Sequence, residues 1–264
     1  MLISVSKQLC NKDYLCIEEC PVRVIRKGDD DIPFSLPEDE VRCIKCGHCI
    51  AICPKNALSL GGLSPKDLPA CNNNRTNMSI EDVEQIIRSR RTVRIFKNET
   101  VPFDLITRAL ETAKMAPSAR NNQFLNWIFL KSKESVKEVA RIVVKEWMKN
   151  DEEYSLIVKA WEKGHDPIMR GAPSAVFVHT DRDYYWAWAD AACALSYLEI
   201  VGHMLGLGLC WMGFVTRASE ECEALNRYLK LPENHKLFGG FAIGFPKVQY
   251  HRIPLRNNPK ITVI

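Results

Sequence analysis

Apolar positions along this chain fall into two regimes. Beyond about residue 79 they recur with regular periods, and before it they do not. Ile80, Val83, Ile86 and Ile87 repeat at helical spacing behind Ser79, and Asp82 stands three residues after that serine, the pattern of a capped helix start. The spacing predicts further helices over about 103–115, 133–149, 183–205 and 218–230. Strands are predicted at 124–130 ("FLNWIFL"), 174–180 ("SAVFVHT"), 208–214 and 237–245. Helices and strands mix without a strict βαβ rhythm, so an α+β fold is expected rather than a doubly wound sheet. No G-x-G-x-x-G follows a strand, and nothing marks a built-in dinucleotide fold.

The pattern divides the chain into three parts. Residues 1–60 are cysteine-rich and poor in helical periodicity, 61–78 are rich in Gly, Pro and Asn and predict a linker, and 79–264 carry the periodic elements. Cys71, inside the linker, is expected to be a solvent-accessible thiol. Composition is that of an ordinary globular protein, 46% apolar and 26% charged. The net charge of +4 and the absence of a long basic block argue against nucleic acid or a membrane surface as partner. No apolar run approaches the roughly 18 residues of a membrane span. The N-terminus has no basic region followed by an apolar stretch, so a cytoplasmic protein is expected.

Charge changes little in this picture; cysteine changes much. Of eleven cysteines, eight lie in the first 71 residues. In a chain without a secretory signal such a cluster points to metal rather than disulfides. "CNKDYLCIEECP" (Cys10 to Pro21) and "CIKCGHCIAICP" (Cys43 to Pro54) agree at offsets 0, 6 and 10, and each closes on proline. At offset 3 the second stretch has Cys46 and the first has Asp13.

The second stretch resembles the bacterial two-cluster 4Fe–4S ferredoxin run, in which three cysteines hold one cluster and the fourth serves the other. The resemblance covers about residues 1–60 and implies crossed ligands. One cluster would take Cys20, Cys43, Cys46 and Cys49; the other would take Cys10, Cys16, Cys53 and whatever stands at Asp13. Some ferredoxins resemble this chain in carrying aspartate at that offset. As a ligand, Asp13 would offer a hard carboxylate oxygen where the other irons have soft thiolates, giving a more labile iron. Without it the second cluster would be 3Fe–4S; a carboxylate that merely caps its turn is the plainer alternative. Structural zinc competes for C-x2-C pairs, but a doubled run ending in Cys-Pro favours iron–sulfur. Lys45 and His48, between ligands, are expected to be solvated loop residues.

Chemistry-bearing residues of the third part come in four groups. "SRRTVRIF" places Arg90, Arg91 and Arg94 around Thr92, and guanidinium forks with a hydroxyl suit a phosphate and an electron-rich ring edge. "APSARNNQ" (116–123), "GLGLCWMG" (206–213) and "AIGFPKVQYHR" (242–252) follow. In this order the set resembles the FMN-dependent nitroreductase family, over about residues 79–264. Thr92 replaces a serine of its S-R-R-S-x-R run, and Phe124-Leu125 replace the Pro-Trp that commonly follows its P-S-x-x-N-x-Q loop. The resemblance implies that Arg90, Thr92 and Arg252 hold the FMN phosphate, that Arg91 belongs to the cofactor site and that Arg94 lies beside the flavin pyrimidine. Pro117, Ser118, Asn121 and Gln123 would contact the ring or ribityl chain, with Gly213 allowing close backbone approach.

Other residues are expected to serve packing. Trp147, Tyr154 and Trp161 recur every seven residues as one helical stripe, for a core or a dimer contact. The apolar density of 184–208 predicts a buried helix enclosing Cys193 and His203, and Cys210 and Cys222 are expected in the core. No Ser/His/Asp arrangement is present, and no general acid is assigned. The two resemblances together imply an iron–sulfur flavoprotein oxidoreductase. Electrons would pass from the clusters to FMN and on to a small organic acceptor of the nitroaromatic, quinone or enone class. The donor would be a redox protein or NAD(P)H, and the family implies a homodimer with FMN sites built from both subunits. Labile, solvent-exposed clusters suggest an anaerobe. The alternatives are an electron carrier that serves a protein partner without small-molecule turnover, and a zinc-stabilised binding protein.

Overall fold

A computed structural model describes residues 2–71 and 78–264, which group into two units: 2–71 with 120–122, and 78–119 with 123–264. The central part of the expected linker, 72–77, lies outside the described residues.

In the first unit, β1 (Ile3–Val5), α1 (Leu15–Glu18), β2 (Arg26–Lys27), β3 (Pro33–Phe34), α2 (His48–Ala51) and β4 (Leu58–Leu60) follow one another. Strand β1 pairs antiparallel with β4, and β2 with β3. The 3-10 turn Pro37–Val41, which leads into Cys43, is pinned by Asp39. Its carboxylate is only 1% exposed and takes hydrogen bonds from the Arg26 guanidinium and from Leu36 N (2.9 Å). The Arg26 hydrogen bond is the main cause holding Asp39 below the usual carboxylate range.

Segments 10–23 and 43–56 repeat as backbone and not only as sequence. Lys12 and Lys45, Tyr14 and Gly47, and Arg23 and Asn56 occupy matching offsets, and all six have φ between 51° and 75°. The turn bonds repeat too: Ile17 N donates to Tyr14 O (2.9 Å) as Ile50 N does to Gly47 O (3.1 Å), and Arg23 N to Cys20 O (3.1 Å) as Asn56 N to Cys53 O (3.2 Å). Four of the six, Lys12, Lys45, Tyr14 and Arg23, carry side chains that accept the left-handed region only at a cost, so the repeated loop is imposed from outside the local sequence.

The second unit runs α3 (Ile80–Ser89), α4 (Phe103–Ala113), β5 (Asn126–Leu130), α5 (Lys133–Ile142), α6 (Ser155–Glu162), β6 (Ser174–Asp181), α7 (Ala187–Met204), β7 (Gly208–Trp211), α8 (Gly213–Ala218), α9 (Glu223–Tyr228) and β8 (His235–Gly244). Its four strands form an antiparallel sheet in the order β5-β6-β8-β7. Alternation along β6 divides the core. Ala175 and Phe177 face one cluster with α5, α8 and α9; Val176 and Val178 face another with α4 and α7. Both faces of the sheet are covered, which is why 174–180 reads as an unbroken apolar run. At Gly239 (φ 145°), beside the register shift of β6 and β8, an added Cβ would lie 2.5 Å from Leu195 Cδ1. No other residue fits there.

Several predicted elements end differently. The strand expected over 208–214 stops at Trp211, and Gly213 starts α8; the apolar run 207–215 carries no polar residue to mark that boundary. Of the helix expected over 218–230 only 223–228 is helical, as α9, and residue 218 is instead the last of α8. Ser219 Oγ donates to Thr216 O (2.7 Å) and accepts from Leu237 N (3.0 Å), turning the chain toward β8 and ending α8. Helix α5 passes into a π-helical turn over Val143–Met148. The 147–161 stripe is not one helix, since Asp151 Oδ1 caps a turn by accepting from Glu153 N (2.9 Å). Tyr154 is nevertheless buried, its ring 5.1 Å from that of Trp147.

Helix α7 begins at Ala187 and is buried on one face only. Trp188, Tyr197 and Met204 are exposed, and Cys193 and His203 are partly so, not enclosed as expected. Cys210 and Cys222 are buried. Ser79 caps α3 as the pattern requires, accepting from Asp82 N (3.2 Å) while Asp82 Oδ2 accepts from Ser79 N (2.9 Å). Its apolar stripe faces outward, with Ile80 65% and Ile87 53% exposed.

Candidate functional sites

The repeated loops of the first unit aim their thiols inward. A cavity beside Ile3, Val24 and Ile25 is lined by Cys20, Cys43, Cys46 and Cys49, three cysteines of one run and the last of the other. Cys49 is pushed up to about 12 by burial and by the nearby charges of Cys46, Cys43 and Cys16. Cys16 is pushed up to about 11 by burial first, then by Cys53, Asp13 and Cys10. The electrostatic neighbours of Cys16 are therefore the remaining members of the crossed set. Thiols this reluctant to ionise among their own kind become ligands when iron supplies the opposing charge, so the donor chemistry fits a cluster. Among the described residues no three His, Cys, Asp or Glu side chains converge as a single metal ion requires.

Sulfur also receives backbone hydrogen bonds, from Lys45 N to Cys43 Sγ (3.4 Å) and from Ala57 N to Cys53 Sγ (3.3 Å), which tune a cluster's potential. Asp13 is exposed, and its Oδ1 accepts from Leu15 N (3.2 Å). It lies between two left-handed residues, Lys12 and Tyr14, as Cys46 lies between Lys45 and Gly47. His48 Nδ1 lies 3.0 Å from Glu19 Oε1 in an exposed pair.

In the second unit the arginine segment runs beside β7. Val93 N donates to Leu209 O (3.0 Å), and Thr92 bridges Leu209 in parallel register. The approach depends on Gly208, where an added Cβ would lie 2.7 Å from Val93 Cβ. From the other side Tyr250 OH donates to Thr92 O (2.9 Å), tying down the tail that carries Arg252. A cavity of about 400 Å³ opens at this seam, lined by Thr92, Arg94, Arg170, Arg217 and the stretch Cys210–Phe214. No acidic residue lines it, and none of its three arginines makes an ion pair among the described residues. At Gly213 an added Cβ would point into open space, with nothing closer than 3.8 Å. The cavity suits a flat ligand with a negative end.

Arg90 is turned elsewhere, Nη1 donating to Glu199 Oε1 (2.7 Å). Neither it nor Arg91 nor the exposed Arg252 lines this cavity. Pro117, Ser118 and Gln123 line a different one, with Asp190. Ser118 Oγ accepts from Gln123 N (3.2 Å). Arg120, Asn121 and Gln123 all have φ near 50–56°. Residues 120–122 group with the first unit, within which Asn121 Nδ2 donates to the carbonyls of Ile44 (3.2 Å) and Lys45 (3.3 Å). Asp190 was missed in the sequence. It is 4% exposed and accepts from Ala119 N (2.9 Å) and Tyr184 OH (2.6 Å), fixing the loop. A lone carboxylate in the apolar run 184–208 was its signal. Arg170 and Arg217 had no comparable signal.

A thiol cradle in one unit and a cationic cavity in the other are the fold's two chemistry-bearing sites. The nitroreductase family model matches residues 87–245 and a 4Fe-4S dicluster domain model matches 8–58. The chain belongs to the nitroreductase family and carries an N-terminal 4Fe–4S dicluster domain. A relative from Archaeoglobus fulgidus, whose name couples NADH dehydrogenase with NAD(P)H nitroreductase, is 26% identical over 168 residues, 64% of this chain and 87% of that one. A protein of Hydrogenibacillus schlegelii named Ferredoxin 7Fe is 43% identical over 47 residues, 18% of this chain and 55% of that one. Among solved structures, a nitroreductase with bound FMN from Bacteroides fragilis has a TM-score of 0.59 at 24% identity, covering 69% of this chain and 98% of that one. No helix of the described residues is long and apolar enough to cross a membrane.

Proposed function

We propose that the chain is an FMN-dependent oxidoreductase that takes electrons in through residues 1–60 and delivers them from residues 79–264 to a small organic acceptor. The observation that carries this reading is the cavity in which Thr92 and three unpaired guanidiniums meet an open-faced glycine, within a family whose Bacteroides fragilis neighbour holds FMN. Iron–sulfur clusters exchange single electrons and FMN accepts one or two, so joining them matches one-electron supply to two-electron reduction. Thr92 and Arg94 would anchor the cofactor's negative groups, Gly213 would let the backbone approach the ring, and Arg252 would close from the tail. Acceptors of the nitroaromatic, quinone or enone class, and a redox protein or NAD(P)H as donor, are the chemistry such a site serves.

Cys20, Cys43, Cys46 and Cys49 would hold one cluster, and Cys10, Cys16, Cys53 and Asp13 the other. The matched backbone at offset 3 supports Asp13 as fourth ligand, while the hydrogen bond from Leu15 N and the Ferredoxin 7Fe relative support a three-iron state when it lets go. A homodimer is part of the reading. Pro117, Ser118 and Gln123 line a cavity apart from that of Thr92 and Arg94, and the apolar face of α3 is exposed, so a second copy would bring the two half-sites together. Anaerobic purification with iron, sulfide and flavin quantitation tests the proposal. One FMN and eight irons per chain, with quinone reduction at steady state, is the expected result. Seven irons would remove Asp13 from the ligand set, and flavin without small-molecule turnover would leave an electron carrier.

A further inference from the structure

The loop 118–123 is pinched at its base, where Ser118 Oγ accepts from Gln123 N (3.2 Å). Ala119 N donates to the buried carboxylate of Asp190 (2.9 Å), whose other oxygen accepts from Tyr184 OH (2.6 Å). At the tip, Asn121 directs its amide at two neighbouring carbonyls, those of Ile44 (3.2 Å) and Lys45 (3.3 Å). A side-chain amide has two N–H donors, and the two carbonyls match them. The family resemblance would set Asn121 against the flavin ring or ribityl chain; its amide is engaged elsewhere.

The target is chemically pointed. Ile44 and Lys45 form the turn between Cys43 and Cys46, and Lys45 N donates to Cys43 Sγ (3.4 Å). A continuous path therefore runs from the Cys43 sulfur through the backbone of Lys45 to the Asn121 amide. Two residues further along the chain, Gln123 lines the cavity of Pro117 and Ser118. The other repeat is not held in this way. Asn11 and Lys12 stand where Ile44 and Lys45 do, and among the described residues no side chain donates to their carbonyls. The loop thus addresses one of the two cysteine turns and not its counterpart.

We infer that Asn121 is a positioning residue for electron transfer: it fixes the Cys43–Cys46 turn to the loop that lines the second unit's cavity, and electrons pass between the cluster of Cys20, Cys43, Cys46 and Cys49 and the flavin along this segment. Each transfer oxidises that cluster by one electron and reduces FMN by one; two transfers, with protons from water, complete the flavin's reduction. The cluster of Cys10, Cys16, Cys53 and Asp13 then stands upstream, on the side of the redox donor. The inference rests on the cluster and flavin sites proposed above and deepens them.

Pulse reduction of the full-length protein, loaded anaerobically with iron, sulfide and FMN, tests this without substrate turnover. Transfer within the protein is the phase, independent of reductant concentration, in which cluster and flavin absorbance change in opposite directions. Asn121→Asp keeps the size of the side chain but turns oxygen against both carbonyls, and Asn121→Gly removes the amide. Both residues tolerate the φ of 56° found there, so neither strains the loop. With iron and flavin per chain as in the wild type, both variants should slow that phase roughly tenfold or more, the scale of a misplaced reacting pair. The EPR spectrum of the reduced cluster should move as well, because hydrogen bonds to sulfur tune a cluster and Lys45 carries one. An unchanged rate, or a slower one with the cluster spectrum unmoved, overturns the inference. Flavin loss or an altered flavin spectrum with the cluster untouched would make Asn121 a flavin contact, ending the inference but leaving the flavin site intact. Iron loss from both variants would make it a prop of the thiol cradle and end the inference too. A wild type that holds iron but no flavin would instead overturn the flavin site itself.

Discussion

The two units keep their shape by different means. Among the described residues the first has a core of nine buried residues, two of which are Cys16 and Cys49 of the repeat, and its loops hold six left-handed residues at repeated offsets. The second buries fifteen residues on one face of its sheet and twenty-three on the other, with no contribution from thiols of the repeat. A unit with so small an apolar core depends on its metal for folding, whereas the second is held by packing. Chelating the iron anaerobically is the harshest test of that contrast. Residues 2–71 should lose their fold and become open to proteolysis, because ligand binding and folding free energy are there the same quantity. All six tryptophans lie in the second unit, so their fluorescence should not move. A protease-resistant first unit after complete iron loss would refute the contrast.

The opposite lesion should strike only the second unit. Phe177 is fully buried at the centre of the sheet, and Phe177→Ala removes its ring from the larger cluster. The expected cost is about 3–5 kcal/mol, read from guanidinium unfolding by tryptophan fluorescence, with iron per chain unchanged. Iron lost in step with fluorescence would mean that the two units unfold as one.

A milder test uses acid. His179 is nearly buried on β6, its Nδ1 2.9 Å from His235 Nδ1. Burial, with a smaller contribution from His235, lowers it to about 4. Because the folded state resists the proton that the unfolded state accepts near pH 6.5, its contribution is full above that pH and is lost as pH falls toward 4. The decline should be about 2–3 kcal/mol across that window, confined to the tryptophan signal. His179→Gln should flatten it, and an unchanged slope would assign the acid sensitivity elsewhere.

The same contrast explains what the sequence revealed. The cysteine repeat that the 4Fe–4S dicluster domain spans was legible because it lies within two dozen-residue stretches whose spacing is itself the chemistry; even the place of Asp13 in the repeat could be located by offset. That the repeat extends to φ at Lys12, Tyr14 and Arg23 was not legible, since none of these residues favours the left-handed region. In the second unit most elements were visible from periodicity, because half-buried helices alternate where the core demands it. Boundaries failed where an apolar run carries no polar residue to mark the change, as at Trp211–Gly213, or where one side chain diverts the backbone, as Ser219 does. The cationic cavity was legible only in part. Thr92 and Arg94 belong to a local motif, but Arg170 arrives through a turn built by Asp166, and Arg217 through α8. Neither carries a mark in its own neighbourhood.

The smallest expected effect probes a helix of the second unit whose apolar face is left largely uncovered. Helix α3 has a capping box at Ser79 and Asp82, yet its apolar residues Ile80, Val83 and Ile87 are exposed. In an isolated chain this helix would rest mainly on local terms and on its C-terminal hold on α7 through Ser89 and Arg90, and a helix of ten residues is marginal on local terms alone. Ser79→Ala removes the acceptor for Asp82 N and should cost about 1 kcal/mol of local helix stability. If a second copy covers the stripe, as proposed, that loss is shared with the interface. The variant should then dissociate at roughly fivefold higher protein concentration by sedimentation, about 1 kcal/mol converted at 1.4 kcal/mol per tenfold. Faster hydrogen exchange confined to 80–89, with no change in association, would show that α3 stands apart from any partner.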